Sequence, residues 1–239
     1  MPLHDVAGRA TCSAMTQNTP PSLALITGAS RGLGAGIAIA LAARGTHIMA
    51  VARTTGALEE LDDKIKAVGG VATLAPMDIT NDGAMQHLCR SVHERWGSLP
   101  LWVHTAIHTP PLAPVTQIDA KAMDKSIANN IKAVSTLMTY VNPLLQAAAP
   151  NAHAVFLDDT SDAAFSGAYA ATKAATRTLV RHWQREATTP SAPSVHLLEP
   201  APTATASRAR FYPGEDRSTL ASPADEGERL VASLFGPRP

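Results

Sequence analysis

Two stretches of this 239-residue sequence carry residues whose types and spacing do chemistry. The first is Thr27-Gly28-Ala29-Ser30-Arg31-Gly32-Leu33-Gly34. Glycines at 28, 32 and 34 leave backbone N–H groups uncovered. The apolar, helix-forming run that follows aims further N–H groups at the same point, an arrangement that binds phosphate. The second stretch is Tyr169-Ala170-Ala171-Thr172-Lys173. Residues four apart on a helix share a face. An ammonium beside a phenol favours the phenolate, so the spacing predicts a lowered pKa for Tyr169. Such a hydroxyl passes a proton to or from a carbonyl or alcohol oxygen near neutral pH. Taken singly, the plainer readings are a tight turn and a surface Tyr/Lys pair. The two together are far more specific.

The elements that must position these residues alternate. Runs at 23–27, 47–52, 71–77, 99–105, 152–157 and 194–198 read as strands, the first a continuous apolar run of the kind covered on both faces. Amphipathic segments at 31–44, 57–68, 81–96, 119–149, 167–188 and 223–235 read as helices, the fourth bent or ended near Pro143. Ser30, Asn81 and Ser222 are the expected N-caps, and Pro223 suits a first helical position. The segments 108–115 and 200–222 read as loops. This order predicts one doubly wound α/β domain over 23–239: a parallel sheet of six strands with helices on both faces. Residues 1–22 are polar and aperiodic and read as a disordered tail, with Met15 an alternative start.

Bulk numbers narrow the function. Lys+Arg and Asp+Glu are both 20, so no polyanion-binding surface is indicated and nucleic acid is not an expected partner. No apolar run is long enough to cross a bilayer. Cys12 and Cys89 lie far apart without metal-ligand spacing, and the nine histidines are scattered. No metal site is read, and a cytoplasmic location is expected.

The glycine turn after the first strand and the Tyr169/Lys173 pair after the fifth resemble, in order and separation, the short-chain dehydrogenase/reductase family. The resemblance covers about residues 22–236. The closing region, with Pro202-Thr203, Phe211-Tyr212-Pro213 and Pro223-Ala224-Asp225, is most similar to the bacterial YciK-type oxidoreductases. The resemblance implies a Rossmann-like fold and hydride transfer between a nicotinamide and a carbonyl or secondary alcohol. It implies Tyr169 as acid/base, Lys173 as its partner and a ribose ligand, and Asn130 as holder of a proton-relay water. Gly28, Ser30, Arg31, Gly32, Leu33 and Gly34 match the phosphate turn. Asp78 and Ile79 match the adenine contact, Ala106 the loop after the fourth strand, and Thr203 a cofactor contact beyond the sixth. A homodimer through 119–149 and 167–188 is also implied.

Cofactor choice can be argued from charge. The second strand ends Val51-Ala52-Arg53-Thr54, without the acid that binds a ribose 2′-hydroxyl. Arg53 and Arg31 instead offer planar donor forks suited to a 2′-phosphate. NADP(H) is therefore expected over NAD(H).

Four departures from the family pattern stand out. His104-Thr105-Ala106-Ile107 replaces Asn-Asn-Ala-Gly, and a branched Ile107 does not easily copy a glycine. Asp159 falls at the catalytic serine position, in Asp158-Asp159-Thr160-Ser161-Asp162, with Thr160 or Ser161 as alternative hydroxyls. Ala201 replaces the glycine after Pro200. No seventh strand follows the last helix, which leaves the sixth strand at an edge. The alternative to an active enzyme is a dinucleotide-binding protein with little catalysis.

Overall fold

The computed structural model describes residues 20–159 and 163–238; Cys12, Thr160 and Ser161 lie outside them. Six strands, β1 (Leu23–Thr27), β2 (His47–Ala52), β3 (Val71–Pro76), β4 (Leu101–His104), β5 (His153–Leu157) and β6 (Ser194–Leu198), form one parallel sheet in the order β3-β2-β1-β4-β5-β6. The order reverses between β1 and β4. That switch opens a crevice beyond the carboxyl ends of the strands. Thr27 and His104, the last residues of these strands, stand side by side in register.

Strands β1 and β4 are buried throughout, as their unbroken apolar runs require. One face of the sheet packs on α3 (Asp82–Trp96), α5 (Ala133–Gln146) and α6 (Gly167–Glu186), through Met85, Val92, Leu137, Val141 and Val180. The other packs on α1 (Gly32–Ala42), α2 (Thr55–Ala67) and α8 (Pro223–Phe235), through Ile37, Leu41, Leu58, Leu61 and Leu230. Among the described residues β6 pairs only with β5 and is the sheet edge. No helix among them is long and apolar enough to cross a membrane.

Several local expectations need correction. The segment 119–149 is not one helix bent at Pro143. Helix α4 (Ala120–Ile127) widens into a π turn at Ala128–Lys132 before α5 begins, while Pro143 sits inside α5. Pro143 carries no N–H for the Thr139 carbonyl, and α5 runs on through it to Gln146. The widening occurs where Asn130 and its carbonyl are drawn to α6 and to the loop after β4. The segment 200–222 holds a short helix, α7 (Ala206–Phe211), and a 3₁₀ turn at Arg217–Thr219. A 3₁₀ turn at Val115–Gln117 closes the loop after β4. Ser30 is not the cap of α1: the cap position belongs to extended Arg31, and no side chain closes it. Asn81 and Ser222 do cap α3 and α8.

Candidate active site

The crevice is a cleft of about 640 Å³. Its first wall is the turn after β1. Gly28 has φ +86°, and a Cβ there would lie 2.5 Å from the Ala106 nitrogen. A Cβ on Gly34 would lie 2.3 Å from the Gly28 oxygen and 2.4 Å from Thr105 Oγ1. The turn therefore tolerates no side chain at either position. The Thr105 hydroxyl donates to the carbonyls of Thr27 (2.9 Å) and Gly28 (3.2 Å), tying the turn to β4. Because α1 has no side-chain cap, its first N–H groups stay available to a phosphate.

Ser30, Arg31, Gly32 and Leu33 line the cleft with Gly28 and Gly34. So do Arg53 at the end of β2, and Asp78 and Ile79 after β3. Arg31 and Arg53 are exposed. Asp78 accepts from the Thr80 N–H (2.9 Å) and hydroxyl (2.8 Å) in a tight turn. Its carboxyl lies below the usual range. Burial, the largest single effect, pushes the other way but is outweighed by those two bonds and by Arg53 and Lys125. Ala106 and Ile107 continue the wall. Ile107 does not adopt a positive φ, so its branched Cβ is accommodated without glycine geometry.

The far end of the cleft departs from expectation. Lys173 does not leave Tyr169 with a lowered pKa. Its ammonium contacts Asp159 Oδ1 at 2.8 Å and donates to the Leu157 carbonyl at 2.6 Å. The Tyr169 hydroxyl donates to Asp159 Oδ2. Burial first, then the Asp159 charge and hydrogen bond, push the Tyr169 pKa above its ordinary value. The sequence gives the i, i+4 spacing but not the backbone path that folds Asp159 between the two side chains. Tyr169 is 1% exposed, lies off the cleft wall and has the Phe211 ring at 4.6 Å. Asp159, its side chain 41% exposed, lines the cleft.

Asn130 also lines the cleft, with its amide engaged. It accepts from the His108 N–H (2.7 Å) and donates to the His108 carbonyl (2.9 Å) and Thr172 Oγ1 (3.0 Å). The Thr176 hydroxyl donates to the Asn130 carbonyl, which explains why the helix widens there. Besides Tyr169, also an expected cofactor contact, Thr203 is placed off the cleft wall. It is buried, with its hydroxyl on the Ala201 carbonyl at 2.7 Å. Thr205, two residues on, lines the cleft and caps α7. A threonine at a helix start is the signal that could have located it.

Three further residues line the wall: His104, Asp158 and Arg210. His104 is buried, with Nδ1 2.8 Å from Thr27 Oγ1. Burial, then the Lys173 charge, push its pKa down to about 3, so it is neutral. Asp158 is buried and pairs with Arg177 Nε at 2.6 Å. Arg210 of α7 donates to the Thr109 carbonyl, joining α7 to the loop after β4. Among the described residues no three His, Cys, Asp or Glu side chains converge as a metal site would need.

Comparison with known proteins follows the same outline. The short chain dehydrogenase family model matches residues 22–216. A fatty acyl-CoA reductase from Acinetobacter baylyi is 42% identical over 76 residues, 32% of this chain and 26% of that protein. The first curated relatives are matched over at most 34% of their own length. Of the solved structures, a short chain dehydrogenase from Shigella flexneri 2a complexed with NADP has a TM-score of 0.83 and 25% identity, over 92% of this chain and 93% of that one. The E. coli oxidoreductase yciK has a TM-score of 0.82 and 24% identity, over 92% and 91%.

Proposed function

The chain belongs to the short-chain dehydrogenase family of oxidoreductases, and from that premise we propose that it is an NADP(H)-dependent enzyme moving hydride between the nicotinamide and a carbonyl or secondary alcohol carbon. One observation carries the reading. A single cleft joins a glycine cradle without room for side chains to Lys173, Asp159 and Asn130 at its other end.

The residues fit the cofactor. The turn 28–34 and the open start of α1 would hold the diphosphate. Arg31 and Arg53 favour a 2′-phosphate, and no acid ends β2 to prefer a free 2′-hydroxyl. Asp78 and Ile79 suit the adenine end. Lys173 uses two of its three N–H donors on Asp159 and Leu157, which leaves one for a ribose hydroxyl. When bound, the nicotinamide supplies or accepts the hydride. The Tyr169–Asp159–Lys173 group handles the proton on the substrate oxygen. The S. flexneri relative's bound NADP supports this cofactor choice. Helices α4, α5 and α6 are the proposed homodimer face, which light scattering on the purified protein tests.

The cofactor reading is tested by titrating NADPH and NADH by fluorescence on the wild type and an Arg31→Ala/Arg53→Ala variant. NADPH should bind more tightly than NADH, and the variant should close the gap, since the two guanidiniums act only on the 2′-phosphate. Equal affinity for both in the wild type would overturn the preference. Turnover is then followed by nicotinamide absorbance with aldehydes, ketones and secondary alcohols.

A further inference from the structure

We propose that Arg210 of α7 receives an anionic group of the substrate, a carboxylate or a phosphate, so that the carbonyl compounds and alcohols this cleft takes are organic anions. The proposal rests on the hydride-transfer reading above and narrows its substrate class. Its basis is an arginine on the cleft wall that no carboxylate neutralises.

The other cations around the cleft have partners or another task. Lys173 meets Asp159 at 2.8 Å, and Arg177 meets Asp158 at 2.6 Å. On α7 itself Arg208 is forked onto Glu215. Arg31 and Arg53 serve the cofactor's 2′-phosphate in the same reading, and the charges of Arg53 and Lys125 both act on Asp78 at the adenine end. Arg210 lines the cleft and is exposed. Among the described residues its hydrogen bonds go to Thr109 alone, from Nη1 to the carbonyl and, at 3.4 Å, to the hydroxyl. The Nε and Nη2 edge of the guanidinium is left over. Its two parallel N–H groups match a carboxylate or a phosphate.

Placement puts this arginine at the reacting end. The next residue, Phe211, has its ring 4.6 Å from that of Tyr169, whose hydroxyl donates to Asp159. Thr109, which Arg210 holds, follows His108, whose backbone is clasped by the Asn130 amide through bonds of 2.7 and 2.9 Å. Arg210 is thus tied on one side to Tyr169 and on the other to Asn130. The local field is positive. Burial first, then Lys125, Arg53 and Arg210, hold the His108 imidazole below its ordinary pKa. An anion seated on Arg210 meets complementary charge, whereas a cationic group there is repelled and a neutral one gains little.

The experiment uses the full chain as wild type, Arg210→Gln and Arg210→Lys, each titrated with NADPH by fluorescence. The probes are matched pairs of carbonyl compounds: pyruvate and methyl pyruvate, levulinate and methyl levulinate, 4-formylbenzoate and its methyl ester, dihydroxyacetone phosphate and dihydroxyacetone. Reduction is followed by NADPH absorbance. Calorimetry measures binding of the same probes to protein loaded with NADP+, which has no hydride to give. The wild type should favour anionic members by about tenfold or more in kcat/KM and in affinity, the size of one charge-assisted pair. Preference within the carboxylate pairs or within the phosphate pair identifies which anion the site takes. Arg210→Gln should remove the preference and leave the neutral members unchanged, and Arg210→Lys should keep part of it. Neutral members used as well as anionic ones by the wild type would overturn the proposal. Equal loss for both members in Arg210→Gln would make Arg210 a brace for α7, and weaker NADPH binding with an unchanged anion preference would give it to the cofactor; either result overturns the proposal. So does a wild type that binds NADPH but neither binds nor reduces any anionic probe. A wild type that binds neither nicotinamide cofactor removes the hydride-transfer reading itself.

Discussion

His104 shows how one residue at the cleft sets a pH response. Its imidazole is buried beside Thr27 and close enough to Lys173 to feel its charge, and its pKa falls from 6.5 to about 3. A depressed pKa means that the unfolded chain takes up the proton first. The stability this group contributes is complete above about pH 6.5 and is lost as pH falls toward 3. Within that window one such histidine tilts stability by about 1.4 kcal/mol per pH unit. His196 moves the same way, to about 4, through burial and then the charge of His153. His104→Asn should therefore unfold at a urea midpoint that differs less between pH 7 and pH 5 than the wild type's. The comparison is of the pH difference, so any packing cost of the smaller side chain cancels. An unchanged difference would show that the His104 proton is not linked to folding.

At the scale of elements, the cleft depends on how closely α8 lies on α1. A Cβ on Gly36 would sit 1.8 Å from the Pro223 carbonyl oxygen, and one on Gly227 would sit 2.4 Å from the Gly36 carbonyl carbon. Two backbones meet there, so neither side can yield by a rotamer change. Gly36→Ala should lower stability by about 1–3 kcal/mol or more, and it should weaken NADPH binding because Pro223 lines the cleft. Gly56→Ala in α2, where a Cβ meets nothing within 4 Å, should leave the thermal midpoint unchanged or raise it. Equal effects from the two variants would refute the close-packing argument. This contact was not legible in the sequence, where Gly36 is one small residue in an apolar helix. Strands β1, β2, β4 and β5 were legible because burial on both faces leaves nearly unbroken apolar runs. Asn130, Lys173, Asp78 and the glycine turn were legible because their elements fix them. Tyr169 was placed but its chemistry was not, since its pKa depends on Asp159, a loop residue that folds back from the end of β5. Helix α7 was hidden by its length of 6 residues in a stretch read as loop.

Across the whole molecule the cleft draws on the segment following every strand: the glycine turn after β1, Arg53 after β2, Asp78 after β3, the loop after β4, Asp159 after β5, and α7 beyond β6. A ligand spanning it joins both halves of the sheet across the β1/β4 switch, and it also holds α7, which Arg210 already ties to Thr109. Such a ligand stabilises the domain as a unit rather than one lobe of it. At a hundredfold excess over its dissociation constant, a ligand that binds only the folded state adds about 2.7 kcal/mol. For a domain of this size that corresponds to a rise of roughly 5–10 °C in the unfolding midpoint. NADPH should give that shift in a single transition, NADH at equal concentration should give less, and hydrogen exchange should slow in α7 and in the loop after β4 together. A shift in only part of the thermal transition, with α7 unprotected, would mean that the cleft is read by one half of the sheet and that α7 stands apart from the ligand.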